Sequence, residues 1–158
     1  SIMSETMWSV LEQGTDENGP IGHGWTYSAP PLGAAAGIAN LQLIDSLDLV
    51  SNAGTTGAYL NAEMQKALGN HPNVVEIRGE GMLCAVEFAR DPSSRSFFEP
   101  GKGSGAKVAG ALLAEGVIAR AMPQGDILGF APPLCLTRDE ADRIVEATRR
   151  AVASTDFA

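Results

Sequence analysis

Positive charge is scarce in this chain. Eleven Lys and Arg stand against nineteen Asp and Glu, a formal net charge of −8 over 158 residues. Neither a basic cluster nor a basic amphipathic stretch occurs, which argues against a nucleic-acid partner or an anionic membrane surface, because affinity for either rests on arrays of Lys and Arg. Lysine itself is reduced to Lys66, Lys102 and Lys107. Cysteine is scarcer still. Cys84 and Cys135 lie in apolar, strand-like runs without the spacing of a metal-binding pair, so two buried free thiols are expected in place of a metal site or a disulfide, and with them a reducing compartment. His23 and His71 lack a metal-ligand constellation and are expected to make loop hydrogen bonds. With no apolar run of membrane-spanning length and no secretory leader pattern, a cytoplasmic location is the default expectation.

What remains is enough for a globular protein: 44% hydrophobic and 19% charged residues can build one core and argue against disorder. The opening does not read as a beginning. Residues 1–4 resemble a strand end followed by a helix start, with Ser4 as N-cap and Met7, Val10 and Leu11 on one face, yet nothing precedes them to pack against. An upstream portion is therefore expected. Residues 15–21 are a polar, turn-rich loop. After Pro31, Leu32, Ala35, Ala36, Ala39 and Leu43 recur at helical spacing and Ile38, Leu41 and Ile44 fill the neighbouring face, the pattern of a helix buried nearly all round. A break at 45–48 precedes a second amphipathic helix carrying Leu49, Ala53, Leu60, Met64, Ala67 and Leu68, ended by Gly69-Asn70.

Beyond it, Met82, Cys84, Val86 and Phe88 alternate with Leu83, Ala85 and Glu87, the signal of a strand with one buried face. Residues 74–78 supply an antiparallel partner across Gly79-Glu80-Gly81. A polar loop over 90–105 leads to a helix with Val108, Ala109, Leu112 and Leu113, stopped by Gly116. Residues 117–122 and 127–131 read as two further strands around a turn at 123–125. Thr137-Arg138-Asp139-Glu140 is a capping box opening a last helix with Ala141, Ile144, Val145, Thr148 and Val152 as its apolar stripe. The order α, β, β, α, β, β, α predicts a small, mostly antiparallel sheet with helices on one face. The division expected is a remnant of a larger domain over 1–45 and a small α+β domain over 46–158.

The stretch that orders the rest is Gly22-His23-Gly24-Trp25-Thr26-Tyr27-Ser28, running through Pro30-Pro31 into the alanine-rich helix. Its local chemistry suits either an ordinary glycine turn before a proline-led helix or a loop that approaches a phosphate with hydroxyls and bare backbone. The whole pattern goes further. His-Gly-Trp-Thr-Tyr-Ser before such a helix resembles the signature of class III pyridoxal-phosphate-dependent aminotransferases. Residues 74–88 (VVEIRGEGMLCAVEF), 116–122 (GVIARAM) and 125–137 (GDILGFAPPLCLT) resemble that family's C-terminal segments, in the family's order. The likeness covers essentially the entire chain and is to the omega-transaminase, or amine:pyruvate, type.

That resemblance implies the small C-terminal domain of the aspartate aminotransferase fold, the pyridoxal 5'-phosphate (PLP)-dependent transferase fold, plus a remnant of the large domain. It implies transfer of an amino group between an amine or amino acid and a keto acid such as pyruvate, pyridoxal 5'-phosphate as cofactor, and a homodimer or higher homo-oligomer. In relatives the lysine that holds the cofactor and the aspartate that pairs with its ring nitrogen lie upstream of the signature, so no catalytic residue is assigned here and the missing N-terminal portion is an expected partner. The family's threonine matching Thr26 contacts the cofactor phosphate of the neighbouring subunit, and Trp25 occupies the family's aromatic position beside it. The chain departs from the pattern at Pro30-Pro31, where relatives usually have His-Pro.

Arg120 sits in an otherwise apolar run, where an isolated charge is costly unless paired or exposed. In amine:pyruvate relatives the matching arginine binds the substrate carboxylate and swings aside for substrates without one; an ion pair with Glu87 or Asp126 is the structural alternative. Arg78 is expected to be structural. The competing reading of the whole chain is a non-enzymatic α+β module for small-molecule binding or oligomerisation.

Overall fold

The computed structural model describes residues 3–20, 22, 24, 26, 30–99, 101–123 and 126–157. The chain divides into two units, residues 1–40 and 41–158. In the first, the Ser4 hydroxyl accepts a hydrogen bond from the Met7 amide at 3.3 Å and so caps α1 (Glu5–Asn18). Gly19, at φ +83°, ends that helix with its amide on the Thr15 carbonyl. α2 (Pro31–Ser46) starts on a proline, whose fixed φ suits a first helical turn, and the unit boundary falls within it. Its bounds match the predicted helix, but its expected burial does not hold: Leu32, Ile38, Leu41 and Leu43 are all more than half exposed. Met7 and Val10 on α1 are likewise exposed. The apolar periodicity on these helices records faces left exposed among the described residues.

The second unit holds the core. α3 (Leu49–Leu68), β1 (Val74–Glu80), β2 (Leu83–Phe88), α4 (Ser104–Ala114), β3 (Arg120–Ala121), β4 (Ile127–Phe130) and α5 (Arg138–Ser154) follow in order. The strands form one antiparallel sheet in the order β1-β2-β4-β3. Alternation along β2 and β4 sends Cys84, Val86, Phe88, Leu128 and Phe130 to one face, where they are buried with Leu60, Met64 and Leu68 of α3, Val108 and Leu112 of α4, and Ala147, Ala151 and Val152 of α5. Thr137 and Glu140 form the predicted capping box, with the Thr137 hydroxyl accepting from the Glu140 amide and the Glu140 carboxylate accepting from the Thr137 amide.

The β1–β2 hairpin is held to α3 at glycines. A Cβ on Gly57 would collide with the Gly81 carbonyl, and one on Gly79 with the Asn61 side chain. That closeness lets Asn61 Nδ2 reach the carbonyls of Gly57, Gly81 and Leu83 at 3.0, 3.3 and 3.4 Å. Gly81, at φ +52°, makes the tight turn, so β1 runs on through Glu80 where the sequence suggested that the connection begins at Gly79. At the chain's end Phe157 packs its ring against His71, Phe88 and Phe98. His71 Nδ1 accepts from the Asn73 amide, a loop hydrogen bond as expected.

Two further expectations are corrected. The strand predicted over 117–122 is only Arg120–Ala121, because the Val117 amide bonds back to the Leu112 carbonyl and the segment first completes the end of α4. Cys84 is buried, and desolvation pushes its thiol up to about 11, but Cys135 is exposed, since it lies in the irregular segment before α5 and not in a strand. Among the described residues no helix is long and apolar enough to cross a membrane, and no group of His, Cys, Asp or Glu is arranged to hold a metal ion.

Candidate functional site

α3, α4 and α5 lie on one side of the sheet, and on its other side residues of the second unit line a trough of about 1000 Å³. Strand register makes its layout explicit. Arg120 of β3 pairs with Gly129 of β4, Gly129 with Ala85 of β2, and Ala85 with Arg78 of β1. These four residues form one row across the sheet with an arginine at each end. Ala85 and Gly129 keep its floor low: a Cβ at Gly129 would only reach ordinary contact with Met122 Sδ at 3.5 Å. Leu83, Ile118, Met122 and Ile127 make the trough apolar, and Glu80 stands on its rim.

The two arginines differ in what they hold. Arg78 donates to the Glu87 carboxylate at 2.6 Å and lies 3.5 Å from Glu76. Arg120 is exposed and has no side-chain hydrogen bond or ion pair among the described residues. Of the two acids that the sequence offered as its structural partners, Glu87 is engaged by Arg78, and Asp126 accepts from the Gly105 amide at 3.3 Å. Exposure at an edge strand keeps an unpaired guanidinium hydrated, so the energetic objection to a charge in this apolar run is met without a pair.

Thr26 lies in an exposed turn with no side-chain hydrogen bond among the described residues. At Gly22 and Gly24, both ahead of Thr26, nothing among the described residues lies within 4 Å of the place a Cβ would occupy. A hydroxyl without a partner among the described residues, next to glycine backbone, is donor chemistry that suits a phosphate, and in that respect the described part of the loop fits the cofactor's phosphate. Trp25 lies outside the described residues, as do His23 and residues 27–29. No Lys or Arg precedes Lys66 in the chain, so what the loop offers is neutral donors and not countercharge. The lysines are all at the surface: Lys66 pairs with Glu63 at 2.5 Å, Lys107 donates to the Asp156 carbonyl at 3.3 Å, and Lys102 is exposed.

Alternation along β2 was enough to set Ala85 opposite the core. Its alignment with Gly129 and the rim position of Glu80 follow from the β2–β4 and β1–β2 pairings, which no single segment displays.

A four-stranded antiparallel sheet with helices on one face is shared with solved transaminases. A transaminase from work on directed evolution by ancestral reconstruction superposes with a TM-score of 0.92 at 52% identity, over 97% of this chain and 34% of that one. The omega transaminase of Pseudomonas jessenii, solved in complex with PMP, superposes with a TM-score of 0.88 at 33% identity, over 96% of this chain and 33% of the other. The fold is thus that of the aspartate aminotransferase-like, PLP-dependent transaminases. The aminotransferase class-III family profile matches residues 5–152, and the chain belongs to that family, whose members use pyridoxal phosphate. It is 56% identical over 151 residues to the diaminobutyrate–2-oxoglutarate transaminase of Halomonas elongata. It is 30% identical over 155 residues to the putrescine–pyruvate aminotransferase of Pseudomonas aeruginosa. These alignments cover 96% and 98% of the chain and 32% of either relative, so the chain spans about a third of the length of these curated relatives.

Proposed function

We propose that this chain is the C-terminal third of a cytoplasmic, homodimeric aminotransferase that moves an amino group between an amine or amino acid and a keto acid such as pyruvate. Residues 1–45 would close the large, cofactor-binding domain and residues 46–158 form the small domain. The relatives' names favour donors with two amino groups, as in diaminobutyrate and putrescine, and acceptors of the keto-acid class. Bound pyridoxal phosphate would supply the electron sink that lets the amino group leave one substrate and join the next. None of Lys66, Lys102 and Lys107 is assigned the cofactor-holding role, because each is a surface lysine, and two already have partners.

The observation that carries this reading is the unpartnered Arg120 on the open trough. A guanidinium grips a carboxylate through two parallel hydrogen bonds, and a long side chain on an exposed edge strand can withdraw when the substrate has none. In the complete enzyme, Arg120→Ala should raise KM for alanine or pyruvate by about tenfold or more, the size of a lost charge-assisted hydrogen bond. Half-reactions with amines that carry no carboxylate should be spared. Equal losses with both substrate classes would overturn the assignment.

Thr26, with Trp25 beside it, would meet the phosphate of cofactor bound mainly by the other subunit. The exposed hydroxyl and open glycines support this. Thr26→Ala should weaken cofactor retention in the dimer by about 1–3 kcal/mol, measured by equilibrium dialysis. Unaltered retention in a verified dimer would remove Thr26 from the site.

A further inference from the structure

Two charged groups of the trough have no side-chain partner among the described residues, and they have opposite signs. Arg120 is one. The other is Glu80, the last residue of β1, which is exposed on the rim and makes no side-chain hydrogen bond or ion pair among the described residues. This separates it from Glu76 and Glu87 on the same face, which lie against Arg78.

Register fixes how far apart the two ends are. Arg120 and Arg78 close one row across β3, β4, β2 and β1, and Glu80 lies two residues further along β1, paired with Leu83. With strands about 4.8 Å apart and about 3.4 Å per residue along a strand, their Cα positions are on the order of 16 Å apart. An arginine and a glutamate reaching inward from opposite walls leave between their heads a gap on the scale of a short carbon chain. The floor under that gap is low, because Ala85 and Gly129 occupy it, and Leu83 and Ile127 give it apolar surface for methylene groups.

From this placement we infer that the trough is a subsite for a zwitterion: a donor lying across the sheet with its carboxylate on Arg120 and a second, non-reacting or waiting ammonium on Glu80. Glu80 is a specificity residue for donors with two cationic groups. The occupant is identified by charge complementarity, since a dicarboxylate would set a negative end against Glu80 and a simple apolar cover would bury both charges unpaired. The inference rests on the carboxylate role proposed for Arg120 and adds the opposite end of the site.

The test uses the complete enzyme and two donors, diaminobutyrate and alanine. Glu80→Gln keeps the side chain's size and removes its charge, and it should raise the ratio of KM for diaminobutyrate to KM for alanine about tenfold. Glu80→Lys should raise that ratio further and lower KM for glutamate, a reversal that a merely structural loss at the hairpin would not give. An unaltered ratio in Glu80→Gln overturns the subsite. Arg120→Ala, run in parallel, separates the two ideas. If it raises KM for alanine while Glu80→Gln leaves the ratio alone, the zwitterion subsite falls and the carboxylate role stands. If it leaves KM for alanine unmoved, the carboxylate role falls and the zwitterion reading falls with it, whatever Glu80 does.

Discussion

The two faces of the sheet are made from alternate residues of the same strands, yet they have opposite chemistry. Toward the helices stand Cys84, Val86, Phe88, Leu128 and Phe130, each at most 5% exposed and packed on α3, α4 and α5. On the other side stand Glu76, Arg78, Glu80, Glu87 and Arg120 around a low apolar floor. Side chains on the first face satisfy one another and have nothing left to offer a ligand. On the second, one cluster of charges is satisfied locally around Arg78, and two charges, on Arg120 and Glu80, have no partner among the described residues. The period of two in a strand lets one segment serve both purposes without compromise, since a residue never has to pack and bind at once.

The comparison is broken most severely from the packed side. Phe88 is fully buried and touches Phe157 with ring centroids 5.4 Å apart. Phe88→Ala should cost about 3–5 kcal/mol, the transfer term plus a cavity that the surrounding helices close only in part. Denaturant unfolding at fixed pH measures it. A cost under about 1 kcal/mol would mean that this face is not the core on which the unit's stability depends.

Much of this arrangement was legible in the sequence because it is written locally. The alternation in β2, the glycine that ends α3, and the capping box of Thr137 and Glu140 are each contained in a few residues, whereas the loop expected over 15–21 gives way to helix up to Asn18 and starts only at Gly19. Residue type and neighbourhood marked Arg120, a cation in an apolar run. What could not be read is what depends on pairing or on the absence of a partner. That Glu87 belongs to Arg78, leaving Arg120 without it, is a fact of the β1–β2 register. The exposure of Ile38 and Leu41 on α2 runs against an apolar pattern that is sound in itself, since periodicity predicts a face to be covered and cannot say that the covering surface lies in this chain. Cys135 departs from its expected strand for a related reason: Pro132-Pro133-Leu134 reads as apolar, but two prolines lead it through a segment outside any strand.

The smallest expected effect sharpens the contrast within the open face. Arg78 and Arg120 end the same cross-strand row, both exposed, and differ only in what surrounds them. Arg78 is bonded to Glu87, whose side chain is only 18% exposed, so removing the guanidinium leaves a partly desolvated carboxylate without its donor. Because the arginine itself is 43% exposed, solvent screens the pair, and Arg78→Ala should cost no more than about 1 kcal/mol, less as salt is added. Arg120→Ala removes no bond to any of the described residues and should change unfolding free energy by less than about 0.5 kcal/mol at any salt concentration. Measured side by side in the complete enzyme without substrate, the two variants should therefore invert their ranking between assays, Arg78→Ala losing more stability and Arg120→Ala losing more affinity for carboxylate substrates. A destabilisation by Arg120→Ala as large as that by Arg78→Ala, with the same decline in salt, would mean that Arg120 has a structural partner after all, and a guanidinium already held in the resting protein could not be the group kept free for a substrate's carboxylate.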